Sequence, residues 1–144
     1  MNGGGPRLKA LVWIVRPGRQ GAEILLLERP EKRGGGHHPV TGKADEGEAP
    51  IACALREAFE ETALRGELHD LGFSHTFDDG RRRSLREHAY LLSVPAGAEP
   101  RISSEHVAAR WAEPADARAA LEWAAHREAL DLALALWLRL RKAC

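Results

Sequence analysis

The sequence has few of the features that would place a protein outside the ordinary globular classes. Its only cysteines, Cys53 and Cys144, do not amount to a disulfide framework, so we expect a reducing compartment. Its 21 basic residues balance 21 acidic ones, and net charge gives no indication of a duplex nucleic-acid partner. No apolar run approaches the roughly 18 residues of a membrane span, and residues 1–6 lack the apolar core of a signal peptide. We therefore expect a cytoplasmic protein without a membrane partner.

The remaining composition is typical of one globular domain. The chain has 144 residues, 44% hydrophobic and 29% charged, which suits a single domain over residues 1–144. A chain of this size buries roughly 70% of the surface that it exposes when unfolded, so it needs no disulfide or metal to fold. The sequence contains no internal repeat and no long linker. The assembly state is left open, with a homodimer as one option.

Apolar periodicity predicts strands that flank one central helix, followed by a second, longer helix. The predicted strands, the first two forming a hairpin, span residues 9–15, 23–28, 68–77, 84–94 and 107–111. The central helix begins near Pro50, and its expected core stripe is Ile51, Ala54, Leu55, Ala58 and Thr62. The final helix runs from Pro114 to about Lys142, and its expected apolar face is Leu121, Ala125, Ala129, Leu132 and Leu136. This order predicts an α/β (α+β) sandwich.

Three glutamates crowd one region of the central helix. Glu57 and Glu61 are one turn apart on the same face, and Glu60 borders that face. Like charges at this spacing weaken a helix, so a compensating positive charge is expected. Arg56 supplies part of it, and Mg²⁺, which prefers oxygen ligands, would supply more. Without further context the bland interpretation, a solvated helix face, would be favoured because glutamate is a strong helix former.

The wider spacing resembles the signature of the Nudix hydrolase family. That signature is Gly, five residues, Glu, seven residues, Arg-Glu, an aliphatic residue, any residue, Glu-Glu, any residue, Gly and an aliphatic residue. The matching positions are Gly42, Glu48, Arg56, Glu57, Glu60, Glu61 and Leu64. Ala63 stands where the family has its C-terminal glycine. Because glycine adopts the left-handed cap easily, alanine predicts a different helix end, such as one a turn later.

The resemblance implies a fold, a cofactor and roles for the matching residues. The fold would be a mixed β-sheet between helices. The signature, residues 42–64, which we call the box, would form a loop–helix–loop. The ligands of Mg²⁺, for which Mn²⁺ could substitute, would be the glutamates of the helix with the Gly42 carbonyl as an extra ligand. Arg56 would orient the glutamates, and Glu48 would steady the loop against the helix. One carboxylate would accept the proton of the attacking water.

A closer resemblance is to the bacterial dihydroneopterin triphosphate pyrophosphohydrolase branch of this family. The likeness rests on residues 39–42, on the missing box glycine, and on residues 104–111, which begin Ser-Glu-His. It implies that Glu105 joins the metal site as ligand or base. The reaction would split a phosphoanhydride bond of a nucleotide or pterin triphosphate and release pyrophosphate. The alternatives are a hydrolase of modified nucleoside triphosphates, dinucleoside polyphosphates or nucleotide sugars, and a non-catalytic nucleotide sensor.

Residues outside the box supply candidates for substrate contacts. Arg29 could bind a phosphate or pair with Glu31, and His38, beside His37, could line the substrate pocket or lie in an exposed loop. The basic run 81–83 is interpreted as a solvated hairpin turn, with a phosphate contact as the alternative. The four tryptophans, expected in the core unless one stacks on a base, are Trp13, Trp111, Trp123 and Trp137.

Overall fold

The computed structural model describes residues 5–81 and 83–142, so Arg82 and Cys144 lie outside the described residues. The seven strands are β1 (Arg7–Gly18), β2 (Gly21–Glu28), β3 (His37–His38), β4 (Val40–Lys43), β5 (Glu67–Asp78), β6 (Ser84–Ser93) and β7 (Ala108–Ala112). The helices are a 3₁₀ turn (Glu31–Arg33), α1 (Pro50–Thr62), α2 (Pro114–Ala119) and α3 (Ala124–Lys142).

The strands form one mixed sheet. Its main path runs β3-β2-β1-β6-β5, with β4 paired to β1 and β7 paired to β2. Strands β1 and β6 are parallel, and the other pairs are antiparallel. The predicted hairpin is confirmed, because β1 and β2 turn directly from Gly18 to Gly21, whose φ of 124° favours glycine.

The central strands separate two cores because successive side chains point to opposite faces of a sheet. On one face Leu11, Trp13 and Val15 pack with α2 and α3. On the other face Val12 and Ile14 pack against α1. Burial on both faces explains why these strands are continuous apolar runs rather than alternating ones. The predicted sandwich of a mixed sheet between helices is confirmed.

Helix α1 begins at Pro50 as predicted, but it packs through smaller side chains than expected. Its buried residues are Cys53, Ala54, Ala58, Glu61 and Thr62. The expected core positions Ile51 and Leu55 are instead 56% and 42% exposed, so that part of the prediction is wrong. Small side chains face the sheet because the helix lies close to β1 and to β4.

The end of α1 also differs from the expectation. The helix stops at Thr62 rather than a turn later, and Ala63 takes the left-handed conformation with φ 61° and ψ 17°. The Ala63 N–H donates to the Phe59 carbonyl at 2.8 Å, which completes the cap. The family's cap geometry is therefore kept by a residue that adopts it at a cost.

The predicted C-terminal helix is divided in two. Helix α2 ends at Ala119, and α3 begins at Ala124 after a short break at which Leu121 bridges to His37 of β3. The buried face of α3 is Ala129, Leu130, Ala133 and Trp137. Leu132, expected in the core, is 39% exposed. No helix among residues 5–81 and 83–142 is long and apolar enough to cross a membrane.

Candidate active site

Strand β4, which precedes the loop that leads into α1, passes directly under the glutamate face of the helix. A Cβ added at Gly42 would overlap the carboxylate of Glu57, so any larger residue there would displace that side chain. The Gly42 carbonyl lies 3.7 Å from the thiol of Cys53, which anchors the loop to the buried side of the helix. In the predicted loop–helix arrangement of the box, the backbone at Gly42 therefore lies close against α1.

Arg56 is the hub that joins the loop to the helix. Its Nε and Nη2 donate to the two carboxylate oxygens of Glu48 at 2.7 and 2.8 Å, a bidentate pair. Its Nη1 donates to Glu57 at 2.8 Å and to Glu60 at 3.1 Å. The guanidinium lowers the pKa of Glu48 to about 2. Arg56 thus holds the loop and two glutamates in one network.

The box glutamates differ sharply in burial. The side chain of Glu60 is 57% exposed and faces Arg56, whereas that of Glu61 is only 4% exposed. Burial raises the pKa of Glu61, and the nearby carboxylates of Glu57 and Glu105 raise it further. A buried carboxylate that lies beside two others requires a proton or a cation.

Glu105 and His106 complete this cluster from the loop before β7. Glu61, Glu105 and His106 each offer one ligand atom, and these atoms lie within 4.8 Å of one another. Oε2 of Glu61 is buried without a hydrogen-bond partner among the described residues. This donor set fits a divalent cation, which would satisfy the free carboxylate oxygen.

His38 is packed behind the site rather than on its surface. It is 5% exposed, and its ring lies 4.9 Å from that of His106. Burial lowers its pKa to about 3, with the charge of Arg29 acting in the same direction, so the ring is neutral. The loop interpretation of His38 is wrong, because it belongs to β3. It does not line either of the two cavities beside the site, and its predicted contact with substrate stays a prediction.

Two adjoining cavities open beside the carboxylates. The smaller, which we call the phosphate cavity, has a volume of about 270 Å³ and is lined by Arg33, Glu61, Glu105 and His106, among others. The larger, which we call the ring cavity, has a volume of about 750 Å³. The residues that line both are Lys9, Arg29, Thr41 and Lys43. Three cations therefore stand where the cavities meet.

The ring cavity has aromatic and polar walls. Phe77 and Trp123 line it, and Trp123 is 61% exposed. His75 and Glu87 line it as a pair joined at 2.7 Å, with the Lys9 ammonium 3.7 Å from Glu87. An exposed tryptophan beside polar groups is the kind of wall on which a flat ring can stack.

Several of these residues were not identified from the sequence. Lys9 stands at the start of an apolar strand, and Lys43 adjoins a loop. A charged residue at the start of a buried strand is unusual, and this signal could have identified Lys9. Trp13 and Trp137 are buried as expected, Trp111 is half-buried against the core, and Trp123 is exposed. In the basic run, Arg83 pairs with Asp79 at 2.9 Å within the turn, as the solvated-turn interpretation predicts.

Comparison with known proteins identifies the family. A model of the NUDIX domain matches residues 5–133, and the chain therefore belongs to the Nudix family. Its fold is similar to that of an Ap4A hydrolase from C. elegans in a binary complex. The TM-score is 0.80 at 21% identity, over 92% of this chain and 98% of that one. It is also similar to the dihydroneopterin triphosphate pyrophosphohydrolase of E. coli, with a TM-score of 0.77 at 21% identity, over 92% and 99% of the two chains.

A curated relative has a different name. An octanoyltransferase from Myxococcus xanthus is 32% identical over 133 residues, which are 90% of this chain but 37% of that protein. The chain thus spans little more than a third of the length of the relative it matches. Most of that protein lies outside the match, so its transferase activity is not carried over to this chain.

Proposed function

We propose that the chain hydrolyses a phosphoanhydride bond of a nucleotide-like triphosphate or polyphosphate, with Mg²⁺ as cofactor and pyrophosphate as a product. The observation that carries the proposal is the continuity of the two cavities through Lys9, Arg29 and Lys43. A phosphate chain lying on these cations would present its anhydride to the carboxylates while its ring occupies the ring cavity.

The residues divide the work by position. Glu57, Glu61 and Glu105 would hold the metal, with the Gly42 carbonyl as a further ligand, and Arg56 would fix Glu57 in place. Glu60 is the least engaged of the predicted ligands because its side chain faces solvent and Arg56. When bound, Mg²⁺ neutralises phosphate oxygens and acidifies water. A carboxylate near the anhydride, with Glu105 the most accessible, would take the proton of the attacking water.

The cavity walls support a substrate class. Arg29 and Arg33 with the two lysines give the phosphate cavity four cations against the carboxylates of Glu61 and Glu105. Such a cavity suits several consecutive phosphates better than one. Dihydroneopterin triphosphate is our first candidate, because its flat pterin suits the wall formed by Phe77 and Trp123. A dinucleoside polyphosphate is the second, since the ring cavity, at about 750 Å³, has room for a nucleoside.

The test is a panel assay for Mg²⁺-dependent release of pyrophosphate or phosphate. The panel contains dihydroneopterin triphosphate, the standard and oxidised nucleoside triphosphates, dinucleoside polyphosphates and nucleotide sugars. Hydrolysis in ¹⁸O-labelled water identifies the phosphorus attacked, and we expect the label in the monophosphate product. Single phosphate as the main product from a triphosphate would overturn the cleavage pattern. Binding of these compounds without turnover, with either Mg²⁺ or Mn²⁺, would favour a nucleotide sensor.

A further inference from the structure

Three buried side chains beside the phosphate cavity carry polar atoms that find no partner among residues 5–81 and 83–142. They are Oε2 of Glu61, Nδ1 of His106 and Nε2 of His38. The three residues are 3%, 7% and 5% exposed, so solvent does not satisfy these atoms. An unpaired buried polar group destabilises a fold, and three together require an explanation.

The first part of the explanation is the distance between a carboxylate and an imidazole. Nε2 of His106 lies 3.8 Å from Oε1 of Glu61, too far for a hydrogen bond. Two ligand atoms at about 2.1 Å from one ion are separated by at most roughly 4.2 Å. The observed separation therefore fits two ligands of the same ion. Glu105, which is exposed, offers the third ligand atom within 4.8 Å, and a small shift of its carboxylate would bring it into the same coordination shell.

The second part is the tautomer of His38. Its Nδ1 lies 2.7 Å from the Pro39 carbonyl oxygen, which can only accept, so Nδ1 carries the proton. Nε2 of His38 is then an acceptor without a donor. If His106 binds an ion through Nε2, its Nδ1 becomes a donor without an acceptor. These two nitrogens make no hydrogen bond in this structure, but the ring centroids are only 4.9 Å apart, so we expect a small rotation to pair them once an ion fixes the protonation of His106.

We propose that His106 ligates, through Nε2, the metal ion held by Glu61 and Glu105, and that His38 is a positioning residue that fixes the tautomer of His106. This inference rests on the proposed function, because it assigns a further ligand to the same metal site. Imidazole is a ligand of first-row transition ions, whereas Mg²⁺ prefers oxygen. An imidazole in the ligand set would therefore raise the affinity of the site for a divalent transition ion relative to Mg²⁺, which the carboxylates would still bind.

Pulsed EPR on the full chain loaded with Mn²⁺ alone tests the ligand directly. We expect modulation from an imidazole ¹⁴N nucleus, replaced by the ¹⁵N pattern when histidine is labelled. His106→Gln should abolish the modulation and lower the affinity for Mn²⁺ relative to Mg²⁺ by about tenfold or more. His88→Gln is the matched control, because His88 pairs with Asp70 away from both cavities, and it should keep the modulation.

A separate variant tests the positioning role of His38. His38→Phe should keep the ¹⁴N modulation while the Mn²⁺ affinity falls about 10- to 100-fold. Wild-type protein that binds Mn²⁺ without ¹⁴N modulation would overturn the inference, and so would modulation that survives in His106→Gln. The wild-type spectrum alone can overturn the inference, so the test does not depend on whether the variants fold. Mg²⁺-dependent turnover without modulation would leave the proposed function intact, whereas modulation without any turnover would refute the proposed function only.

Discussion

At the scale of single residues, the neighbouring glutamates Glu60 and Glu61 occupy opposite environments. One faces solvent and Arg56, and the other is buried with an unpartnered oxygen. Glu61→Gln should lower kcat about 100-fold or more, a loss of about 3 kcal/mol in the stabilisation of the transition state. Glu60→Gln should lower kcat much less. Steady-state kinetics at saturating Mg²⁺ measures both, and equal losses would contradict the distinction.

Glu61→Gln, which should lower kcat, should raise the stability of the fold when metal is removed. Because the pKa of Glu61 is raised above its ordinary value of 4.5, the folded state disfavours the charged form. The metal-free fold therefore loses stability as the pH rises above that value, and Gln abolishes the loss. We expect Glu61→Gln to have the higher free energy of unfolding at pH 7 in the presence of chelator, measured with urea. A lower value would contradict the burial argument.

Trp123 is the residue whose role depends most on the substrate. Its exposed ring stands on the wall of the ring cavity, away from the carboxylates of the phosphate cavity. Stacking of a base on an aromatic side chain contributes about 1–3 kcal/mol, so Trp123→Ala should raise KM by about fivefold to 100-fold. The value of kcat should change little, and Trp123→Phe should restore most of the affinity. A loss confined to kcat would place the substrate ring elsewhere.

At the scale of elements, the end of α1 offers a local test of backbone strain. Ala63 has a φ of 61°, which glycine adopts without the clash of a Cβ. Ala63→Gly should raise the free energy of unfolding by about 1 kcal/mol. Ala52→Gly is the matched control, because Ala52 is exposed within the same helix, and it should lower the free energy by about the same amount. Denaturant titration measures both, and destabilisation by Ala63→Gly would refute the strain.

The five longer strands were predictable, whereas the short strands β3 and β4, expected as loop, and the buried helix faces were not. Runs such as residues 9–15 are apolar because both faces of the central strands are covered, and such runs survive any detail of packing. The face of α1 depends on how closely the helix approaches the sheet. That approach admits Ala54 and Ala58 and leaves the larger Ile51 outside, although all three are apolar. Periodicity identifies a stripe of apolar residues but not which edge of it lies inward.

At the scale of the whole molecule, the box could be recognised from the sequence but the cavities could not. The box is contiguous, and its spacing alone brings the glutamates and Gly42 together. The ring cavity combines Lys9 of β1, Phe77 of β5, and Trp123 and His126 near the start of α3. Only the strand order, in which β6 lies between β1 and β5, sets the distance between these elements. Substrate contacts therefore became visible only with the fold.

The buried histidines should set the acid limit of the folded molecule. Burial lowers the pKa of His126 to about 4, and the positive charge of Lys9 acts in the same direction. Between pH 6.5 and about 4 the unfolded chain binds the proton that the folded chain excludes, so the free energy of unfolding falls as the pH falls. His126→Gln should flatten this fall, as followed by urea denaturation from pH 7.5 to 4.5. An unchanged slope would show that His126 is not the group responsible.

The reactivity of Cys53 can be used to measure how often α1 separates from the sheet. The side chain is fully buried, and burial raises the pKa of its thiol to about 11. Because thiolate is the reactive form, an alkylating reagent can modify Cys53 only in moments when the helix has left the sheet. In a Cys144→Ser chain the alkylation rate would therefore measure how often the box helix opens. A ligand that bridges α1 and the backbone at Gly42 would lower the alkylation rate of Cys53.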